Sequence, residues 1–562
     1  MLSSRAASLM RPGYRAVRSF ASRPHPLAVR PTPGGPVPAG QTPPHLRPKQ
    51  QRWSNLTLVL LATLTGSATY IIGRTEGGAG GPAAKLAYKE PTRDGFEKAL
   101  NELKSYLPQD CVAEDRDSLV AHGWSDWTTH PPTGLPGAIV YPRSTEDVVA
   151  IVKTASAHSI PIIPYCAGTS LEGHTAALGY PGAVDTPPES SHVQLADLKP
   201  GLALVLDFAE NMNNIIAINS KDLDAVVQPG VSYDVLNSEL RDRGIPLFFP
   251  VDPAPGAQIG GMIGTGASGT NAVRYGTMRD NVLNLTVVLA SGEVIKSSVG
   301  PDLGRLFIGA EGTLGIVVEA TLKLAPLLPS TVAVSSFPTI QDAADAARDL
   351  VQQGVSLACV ELLDDVMIKA INKQTGKDGK SWPEKPTNSG SNFTFARNDE
   401  EAERIWYSRK IALWSALDYI PGSRCWTTDV CVPLSKFPQL ITETKEDIDR
   451  AGVVGPIVSH AGTKLIDTLI RDSDGNFHAL LLFSNDEELK KVEQLVHNMV
   501  ERAQRLDGTA TGEHGVGIGK KAYVENELGA GTVELLRSIK QTMDPQNIMN
   551  PGKLIPDRRK TA

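Results

Sequence analysis

The segment Gly512-Glu513-His514-Gly515 places a carboxylate and an imidazole between glycines, which leave both side chains open to approach. An imidazole titrates near neutral pH, so His514 is a candidate general base that could take a proton from a substrate. The alternative is a histidine with a purely structural role, which is the commoner role of an isolated histidine. The flanking glycines favour the catalytic interpretation.

Glu513 is also a candidate metal ligand. Together with His460 and His478 it would form a set of two histidines and one carboxylate, which suits a divalent cation such as zinc or manganese. Such a cation would bind a substrate's hydroxyl and carboxylate oxygens and make the hydroxyl more acidic. The alternative is that these side chains are structural.

Three loops rich in small residues suit phosphate binding. Residues 264–269 (GTGASG) match the dinucleotide-binding fingerprint GxGxxG, but no long amphipathic helix follows them and no suitable acidic residue lies further on. We therefore interpret the segment as a nest of backbone N–H groups. With loops 164–174 and 309–317, which also adjoin apolar strands, it suits an extended pyrophosphate cofactor.

The elements that must position these residues are of mixed type. Ser144 is predicted to cap a helix, a buried strand follows at 160–164, and further α/β segments are predicted at 224–290 and 315–324. The second half predicts strands at 331–336, 355–363 and 477–483, with a helix at 340–353 and another after residue 483. Two strand–helix units of this kind indicate a ferredoxin-like α+β domain.

The N-terminal region has the composition of a mitochondrial presequence. Residues 1–22 contain arginines at 5, 11, 15 and 18 and no acidic residue, and nine prolines at 24–48 indicate a linker. Residues 55–73 are nineteen uncharged positions, just long enough for a membrane span. Basic residues before this span predict that the body faces the intermembrane space from the inner membrane. The alternatives are a disordered basic tail and a bipartite signal that is later removed.

Charge and cysteine content exclude two classes of partner. The whole chain carries −7, and ten basic residues precede the first acidic residue, Glu76, so residues 76–562 carry −17. An acidic body of this kind argues against binding nucleic acid. The five cysteines are irregularly spaced, so they predict neither a disulfide framework nor a CxxC zinc site.

Several motifs together resemble a known family. AGTSLEGH, DPAPGAQIGGMIGTGASGTNAVRYG and EGTLGIV resemble the flavin domain of vanillyl-alcohol-oxidase-type flavoproteins. DGNFH, GEHGVG and MDPQNIMNPGK narrow the resemblance, over about residues 95–558, to the D-2-hydroxyacid dehydrogenase branch. It implies an α+β fold, with a two-subdomain FAD-binding domain of the PCMH (p-cresol methylhydroxylase) type, a ferredoxin-like α+β substrate cap and a C-terminal segment that returns to the flavin domain.

The resemblance also implies FAD as the cofactor. Some relatives attach the flavin covalently through a histidine where this chain has Thr169, so we expect non-covalent FAD, with His174 packed or bonded to backbone rather than acting as a tether. The residues that the resemblance assigns to FAD are Pro164, Ala167, Gly168, Thr169, Ser170, Leu171, Gly173, His174, Pro253, Gly260, Gly261, Gly264, Thr265, Gly266, Ser268, Glu311, Gly312, Gly315, Ile316 and Asn550.

The reaction implied is oxidation of a small D-2-hydroxyacid such as D-lactate, with hydride transfer to flavin N5, His514 as base and cytochrome c as electron acceptor. Arg409 matches the family arginine that binds the substrate carboxylate, although an exposed helix arginine beside Lys410 is the alternative. Two other functions stay open. One is a D-2-hydroxyglutarate or glycolate dehydrogenase in the matrix, and the other is a non-redox, FAD-dependent lipid synthase of the alkyl-glycerone-phosphate type.

The metal site departs from the family pattern. Relatives carry the ligands as H-x-G-D-G-N-F-H, whereas eleven residues, Thr463–Ser473, separate the corresponding halves here. Three explanations are open: the insert loops out and leaves the predicted ligands together, the gene model is wrong, or His460 has lost its place.

The predicted organisation of the chain is presequence and linker 1–54, membrane span 55–73, FAD-binding domain 90–326, cap 327–545 and C-terminal segment 546–562.

Overall fold

The computed structural model describes residues 90–557, apart from 126, 131, 133, 178–197, 376–381, 383–392 and 464–472. Up to residue 327 the helices are α1 (Arg93–Tyr106), α2 (Arg116–Gly123), α3 (Thr145–His158), α4 (Tyr233–Asp242), α5 (Ile259–Thr265), α6 (Ala272–Tyr275), α7 (Met278–Asn281) and α8 (Gly304–Phe307). The strands are β1 (Val112–Ala113), β2 (Ala138–Val140), β3 (Ile162–Tyr165), β4 (Leu204–Asp207), β5 (Ile215–Asn219), β6 (Asp224–Val227), β7 (Leu247–Phe248), β8 (Val282–Val288), β9 (Val294–Lys296), β10 (Ile316–Lys323) and β11 (Ala325–Pro326).

Two sheets form this half of the molecule. The first has the order β1-β2-β4-β3, in which β2, β4 and β3 are parallel. Helix α3 begins as predicted, since the Ser144 hydroxyl accepts a hydrogen bond from the Asp147 N–H, and its buried valines pack in the core beside the sheet. The second sheet is antiparallel, in the order β5-β6-β10-β8-β9. Strand β3 and the loops around α5 and β10 are thereby fixed by buried strands.

The rest of the described chain contains strands β12 (Ala333–Val334), β13 (Glu361–Leu363), β14 (Thr394–Phe395), β15 (Arg424–Thr427), β16 (Val430–Pro433), β17 (Ile457–Thr463) and β18 (Ser473–Phe483). Its helices are α9 (Ile340–Gln352), α10 (Asp365–Thr375), α11 (Asp399–Lys410), α12 (Ala412–Tyr419), α13 (Phe437–Ala451), α14 (Asp486–Arg505) and α15 (Val524–Met543).

The ferredoxin-like pattern is present in the segment β16-α13-β17-β18-α14. Strand β18 pairs with β17 on one side and with β16 on the other, and Thr509, just after α14, pairs with Cys431 of β16. This is the order of a βαββαβ unit whose last strand is reduced to one bridge. Strand β13 is added at the outer edge, beside β17.

Two predicted strands are wrong in extent. The segment 331–336 contributes only β12, which pairs with β14 outside the main sheets, and 355–363 contributes only β13. In contrast, β18 begins four residues before the predicted 477. The wrong assignments are apolar stretches that find no neighbouring strand along most of their length, and pairing, not propensity, decides the extent of a strand.

The C-terminal segment returns to the first sheet. The Ile162 N–H donates to Ile548 O at 2.7 Å, and the Asn550 N–H donates to Ile162 O at 2.8 Å.

Among the described residues, no helix is long and apolar enough to cross a membrane. The predicted presequence, linker and span 55–73 lie outside these residues.

Candidate active site

The three glycine loops meet beside α5. Within this contact, the Glu311 N–H donates to Gly264 O at 2.8 Å, and the Gly309 N–H donates to Ile263 O at 2.9 Å. A Cβ at Gly312 would lie 2.7 Å from Pro164 Cγ, so the third loop can approach the first only because residue 312 has no side chain. The short α5 is followed by the four-residue α6, so the predicted absence of a long helix after 264–269 is confirmed.

The first loop presents backbone donors. Among the described residues, nothing accepts a hydrogen bond from the N–H groups of Ala167 to Leu171. Unpaired backbone N–H groups within a packed protein need an acceptor, and a series of them attracts an anion. This arrangement fits the predicted pyrophosphate cofactor at this loop.

Three of the side chains predicted to contact the cofactor, those of His174, Glu311 and Asn550, join the loops to one another. His174 bonds Ser170 through Nδ1, and its Nε2 lies 3.2 Å from Glu311 Oε1. Asn550 Nδ2 donates to Glu311 O at 2.7 Å and to His174 O at 3.2 Å. The expectation that His174 is packed and bonded fits this geometry, and Asn550 explains how the C-terminal segment supports the loops.

The predicted metal ligands lie together. Each of His460, His478 and Glu513 offers a ligand atom within 4.8 Å of the other two. His460 and His478 lie on the paired strands β17 and β18, and Thr463 pairs with Ser473 at the end of that ladder. This pairing keeps the two halves of the motif on one ladder, and residues 464–472 of the insert lie outside the described part of the chain. His460 therefore lies where the resemblance predicts it, beside His478 and Glu513.

Hydrogen bonds orient this cluster and leave ligand atoms free. His478 Nδ1 lies 2.8 Å from Thr428 O, which directs Nε2 toward Glu513 Oε1 at 3.0 Å. Glu513 Oε2 and His460 Nδ1 are buried without a hydrogen-bond partner among the described residues. Burial acts to raise the pKa of Glu513, but the surrounding imidazoles outweigh it and lower the pKa to about 2. The carboxylate is therefore ionised and available to a cation.

His514 lies against this cluster. Its ring stacks on that of His478 with the centroids 5.0 Å apart and the planes at 19°. Burial lowers the pKa of His514 to about 4, against the opposing effect of Asp429. The imidazole is therefore neutral at pH 7, and its buried Nδ1 has no hydrogen-bond partner among the described residues.

Arg409 lies close to the histidine cluster and is not an exposed helix arginine. It lies near the end of α11, where its side chain is 20% exposed and its Nε donates to Glu361 Oε2. Glu361 is the cross-strand neighbour of His460, so the ion pair adjoins the histidine cluster. The carboxylates of Glu361 and Glu513 raise the pKa of Arg409 although burial acts to lower it.

Sequence reasoning missed Asp429, Lys520 and Glu361. Asp429 is fully buried, accepts the N–H groups of residues 512–514 and pairs with Lys520 Nζ at 3.1 Å. A sequence signal existed, since Asp429 is the one charged residue within the run from Cys425 to Pro433. Glu361 stands in a similar apolar run, from Val355 to Leu363.

Comparison with known proteins gives two family matches. The FAD binding domain model matches residues 136–183 and 190–298, and the model of the C-terminal domain of FAD linked oxidases matches 329–389 and 386–554. Among solved structures, 4-ethylphenol oxidase from Gulosibacter chungangensis (TM-score 0.64, 16% identity, 84% of this chain and 99% of that one) and p-cresol methylhydroxylase (0.62, 17%, 84% and 98%) are similar. These similarities show the predicted α+β, PCMH-type fold.

Curated relatives are much closer in sequence. Mitochondrial D-lactate dehydrogenase (cytochrome) of Kluyveromyces lactis is 40% identical, with 82% of each chain covered. The Arabidopsis thaliana protein of the same name is 39% identical over 82% of this chain and 80% of its own. A D-2-hydroxyglutarate dehydrogenase of Stutzerimonas stutzeri is 32% identical, over 81% and 98%. This chain therefore belongs to the D-lactate dehydrogenase (cytochrome) family of FAD-binding proteins.

Proposed function

We propose that this chain is a mitochondrial, FAD-dependent dehydrogenase that oxidises D-lactate to pyruvate and passes the electrons to cytochrome c. The supporting observation is the junction between the base and the flavin loops. Glu311 of the third loop accepts the N–H groups of Val516 at 2.6 Å and Gly517 at 2.9 Å, just after His514. A base fixed to a flavin loop is what hydride abstraction from a hydroxyacid requires.

FAD, when bound, would accept the hydride from the substrate's Cα. The N–H groups around Gly168–Ser170 and Gly264–Ser268 would hold its pyrophosphate, and the edge of the ring system would lie near Glu311–Ile316 of the third loop. The chain offers Thr169 rather than a histidine at the tether position, so we propose that the flavin is bound non-covalently.

The residues His460, His478 and Glu513 fit a divalent cation, because two of their buried polar atoms have no other partner among the described residues. A bound zinc or manganese ion would make the substrate hydroxyl more acidic. Arg409, with its Nε held by Glu361, would present its remaining guanidinium N–H groups to the substrate carboxylate. The hydroxyl proton would then move to Nδ1 of His514.

Location and acceptor complete the proposal. Family members from yeasts and a plant are named mitochondrial, and we propose that the span 55–73 anchors this chain in the inner membrane with its body facing the intermembrane space. The charge of −17 on residues 76–562 would attract a basic redox protein such as cytochrome c.

The test is reduction of cytochrome c by the purified chain with a panel of D- and L-2-hydroxyacids. D-lactate should give the highest kcat/KM, and the reduction should slow with salt, because the Debye length falls from about 10 Å at 0.1 M to about 3 Å at 1 M. Reduction of a small neutral dye is the control and should barely change.

If D-2-hydroxyglutarate or glycolate gives the highest kcat/KM, that compound is the substrate instead of D-lactate. If no hydroxyacid is oxidised, the lipid synthase is the favoured function.

The location is tested by protease digestion. Protease added after rupture of the outer membrane should reach the body. If protection persists until the inner membrane is dissolved, the body lies in the matrix and cytochrome c is not the acceptor.

A further inference from the structure

The loop that carries Glu513 and His514 is fastened by two buried carboxylates and one backbone carbonyl. Asp429 lies at its start, Glu311 accepts the N–H groups of Val516 and Gly517, and the backbone carbonyl of Glu172 accepts the Ile518 N–H at 2.8 Å. Asp429 belongs to the cap, whereas Glu311 and Glu172 belong to the third and first glycine loops. The loop is therefore held to both halves of the molecule.

Asp429 makes the contacts closest to the reacting groups. Its Oδ2 accepts from the Thr511 hydroxyl at 2.8 Å, from the N–H groups of Gly512 and His514 at 2.9 Å each, and from that of Glu513 at 3.1 Å. Its side chain is completely shielded from solvent. One carboxylate oxygen therefore sets the backbone of both the candidate ligand and the candidate base.

One cation balances this carboxylate and reaches the flavin side. Lys520 Nζ lies 3.1 Å from Asp429 Oδ2 and 3.3 Å from Glu172 Oε1, and it donates to Asp429 O at 2.8 Å. Glu172 Oε2 in turn lies 3.3 Å from His130 Nε2. The chain of contacts joins the first glycine loop to the loop of His514 through buried charges.

We propose that Asp429 is a positioning residue for the oxidation, which fixes Glu513 and His514 relative to the flavin loops, with Lys520 coupling it to the first glycine loop. This inference rests on the proposed function. Asp429 touches neither substrate nor cofactor in this scheme, so its effect is on the placement of the base. A misplacement of about 1 Å can cost about 100-fold in rate.

The competing explanation is that Asp429 only stabilises the fold, and the chain offers a matched control for it. Asp364 is also a buried carboxylate of the cap that accepts two backbone N–H groups, those of Met367 at 2.8 Å and Ile457 at 3.0 Å. It also pairs with a lysine, Lys445, at 3.0 Å. Asp364→Asn therefore removes an equivalent buried charge away from the loop.

The experiment compares Asp429→Asn with Asp364→Asn in the full chain loaded with FAD. Asp429→Asn should lower kcat by about 100-fold while KM for D-lactate changes little, because an amide cannot accept at both oxygens. The flavin absorbance spectrum should be unchanged, and the affinity for Zn²⁺ or Mn²⁺ should fall about 10- to 100-fold because Glu513 moves. Asp364→Asn should lower the unfolding temperature but leave both kcat and the affinity for Zn²⁺ or Mn²⁺ unchanged.

Thr511→Val is the milder variant should Asp429→Asn fail to fold, since it removes one donor to Asp429 and the acceptor of the Gly515 N–H and leaves every charge in place. It should lower kcat about 10- to 30-fold with KM unchanged, consistent with the loss of two hydrogen bonds of about 1 kcal/mol each. Wild-type kcat in Thr511→Val, or equal kcat in the two aspartate variants, would overturn the inference. A wild-type chain that does not oxidise D-lactate would instead reject the proposed function.

Discussion

The glycine loops and the histidine cluster adjoin one another, but they present opposite kinds of chemistry. The loops present backbone N–H groups, and side chains hold them in place, as His174 does by bonding Ser170 and Asn550 by donating to the carbonyls of His174 and Glu311. The cluster presents side-chain atoms of His460, His478 and Glu513, which long-range hydrogen bonds orient. Recognition in the loops therefore depends on the path of the backbone, whereas chemistry in the cluster depends on single atoms.

This difference predicts where substitutions have the largest effect on turnover. A loop that binds through backbone N–H groups tolerates a changed side chain as long as its conformation is kept. A cluster that works through single nitrogen and oxygen atoms loses its function when one atom is lost.

His514→Ala should therefore give the largest effect. It should lower kcat by about 10²- to 10⁴-fold, the range for a positioned acid–base group. The yellow FAD complex should persist, because the flavin contacts lie on the loops. Stopped-flow reduction of the flavin by D-lactate measures the loss directly. A variant that keeps near wild-type kcat would remove His514 from the role of base.

The same difference explains what the sequence could predict. The glycine loops were predictable because close backbone approach requires small residues in contiguous runs, such as 264–269 beside 309–315. The cap strands at 355–363 were overestimated because nothing local indicates where a strand loses its neighbour. The predicted ligands His478 and Glu513 lie in short recognisable motifs, and the pairing of β17 with β18 brings His460 beside His478.

The supporting residues of the cluster could not be predicted in this way. Asp429 acts on residues more than eighty positions later in the chain, and Glu361, placed beside His460 by the pairing of β13 with β17, binds Arg409. Such contacts depend on the tertiary arrangement of the cap, and the only sequence signal is a carboxylate in an apolar run. A buried charge must have a partner, but the sequence does not identify it.

Arg409→Ala should have the next largest effect, and on KM rather than on kcat. The variant loses charged hydrogen bonds to the substrate carboxylate, each of which contributes about 1.5–3 kcal/mol. Its KM should therefore rise by about 10- to 100-fold. Glu361→Gln keeps an acceptor for the guanidinium but removes the charge, so its KM should rise by about tenfold or less. Steady-state kinetics over D-lactate concentration separates the two parameters. A fall in kcat alone would assign Arg409 to another role.

Excision of the insert should have a small effect. Because Thr463 pairs with Ser473, replacing residues 464–472 with Asn-Gly should close β17 and β18 with a two-residue turn. The ligand positions lie within the ladder, so kcat and KM should stay within about twofold of wild type, as for changes away from buried features. Metal content measured on the purified variant is the second readout. Loss of activity together with metal would show that the insert supports the site.

Two buried lysines allow a comparison of the two regions by pH. Lys520, in the loop of the cluster, is paired with Asp429 and Glu172, and these carboxylates raise its pKa although burial acts to lower it. Lys553, beside the first glycine loop, donates to Ala176 O at 2.7 Å and has no carboxylate partner among the described residues. Burial, with a further contribution from Lys521, lowers the pKa of Lys553 to about 7.

The two lysines should therefore affect the pH dependence of stability differently. An unfolded lysine titrates near pH 10.4, so between about pH 7 and pH 9 the unfolded chain holds a proton that Lys553 has lost in the folded chain. Stability should then rise with pH, by at most about 1.4 kcal/mol per pH unit from this group. Lys520 stays protonated in both states over that range, and its stabilising contribution is lost only above pH 10.4, as pH passes its raised folded-state pKa.

Urea unfolding of the wild type, Lys553→Met and Lys520→Met at pH 7 and pH 9 tests this comparison. The free energy of unfolding should rise less between pH 7 and pH 9 in Lys553→Met than in the wild type, because the contribution of this lysine is lost. Lys520→Met should lower the free energy of unfolding by the same amount at pH 7 and at pH 9. The comparison rests on the difference between pH values, so the packing effect of methionine cancels. An unchanged rise in Lys553→Met would mean that Lys553 keeps its proton in the folded chain, which requires an anion close to it. Repeating the measurement after removal of FAD would then decide whether the cofactor's pyrophosphate supplies that charge.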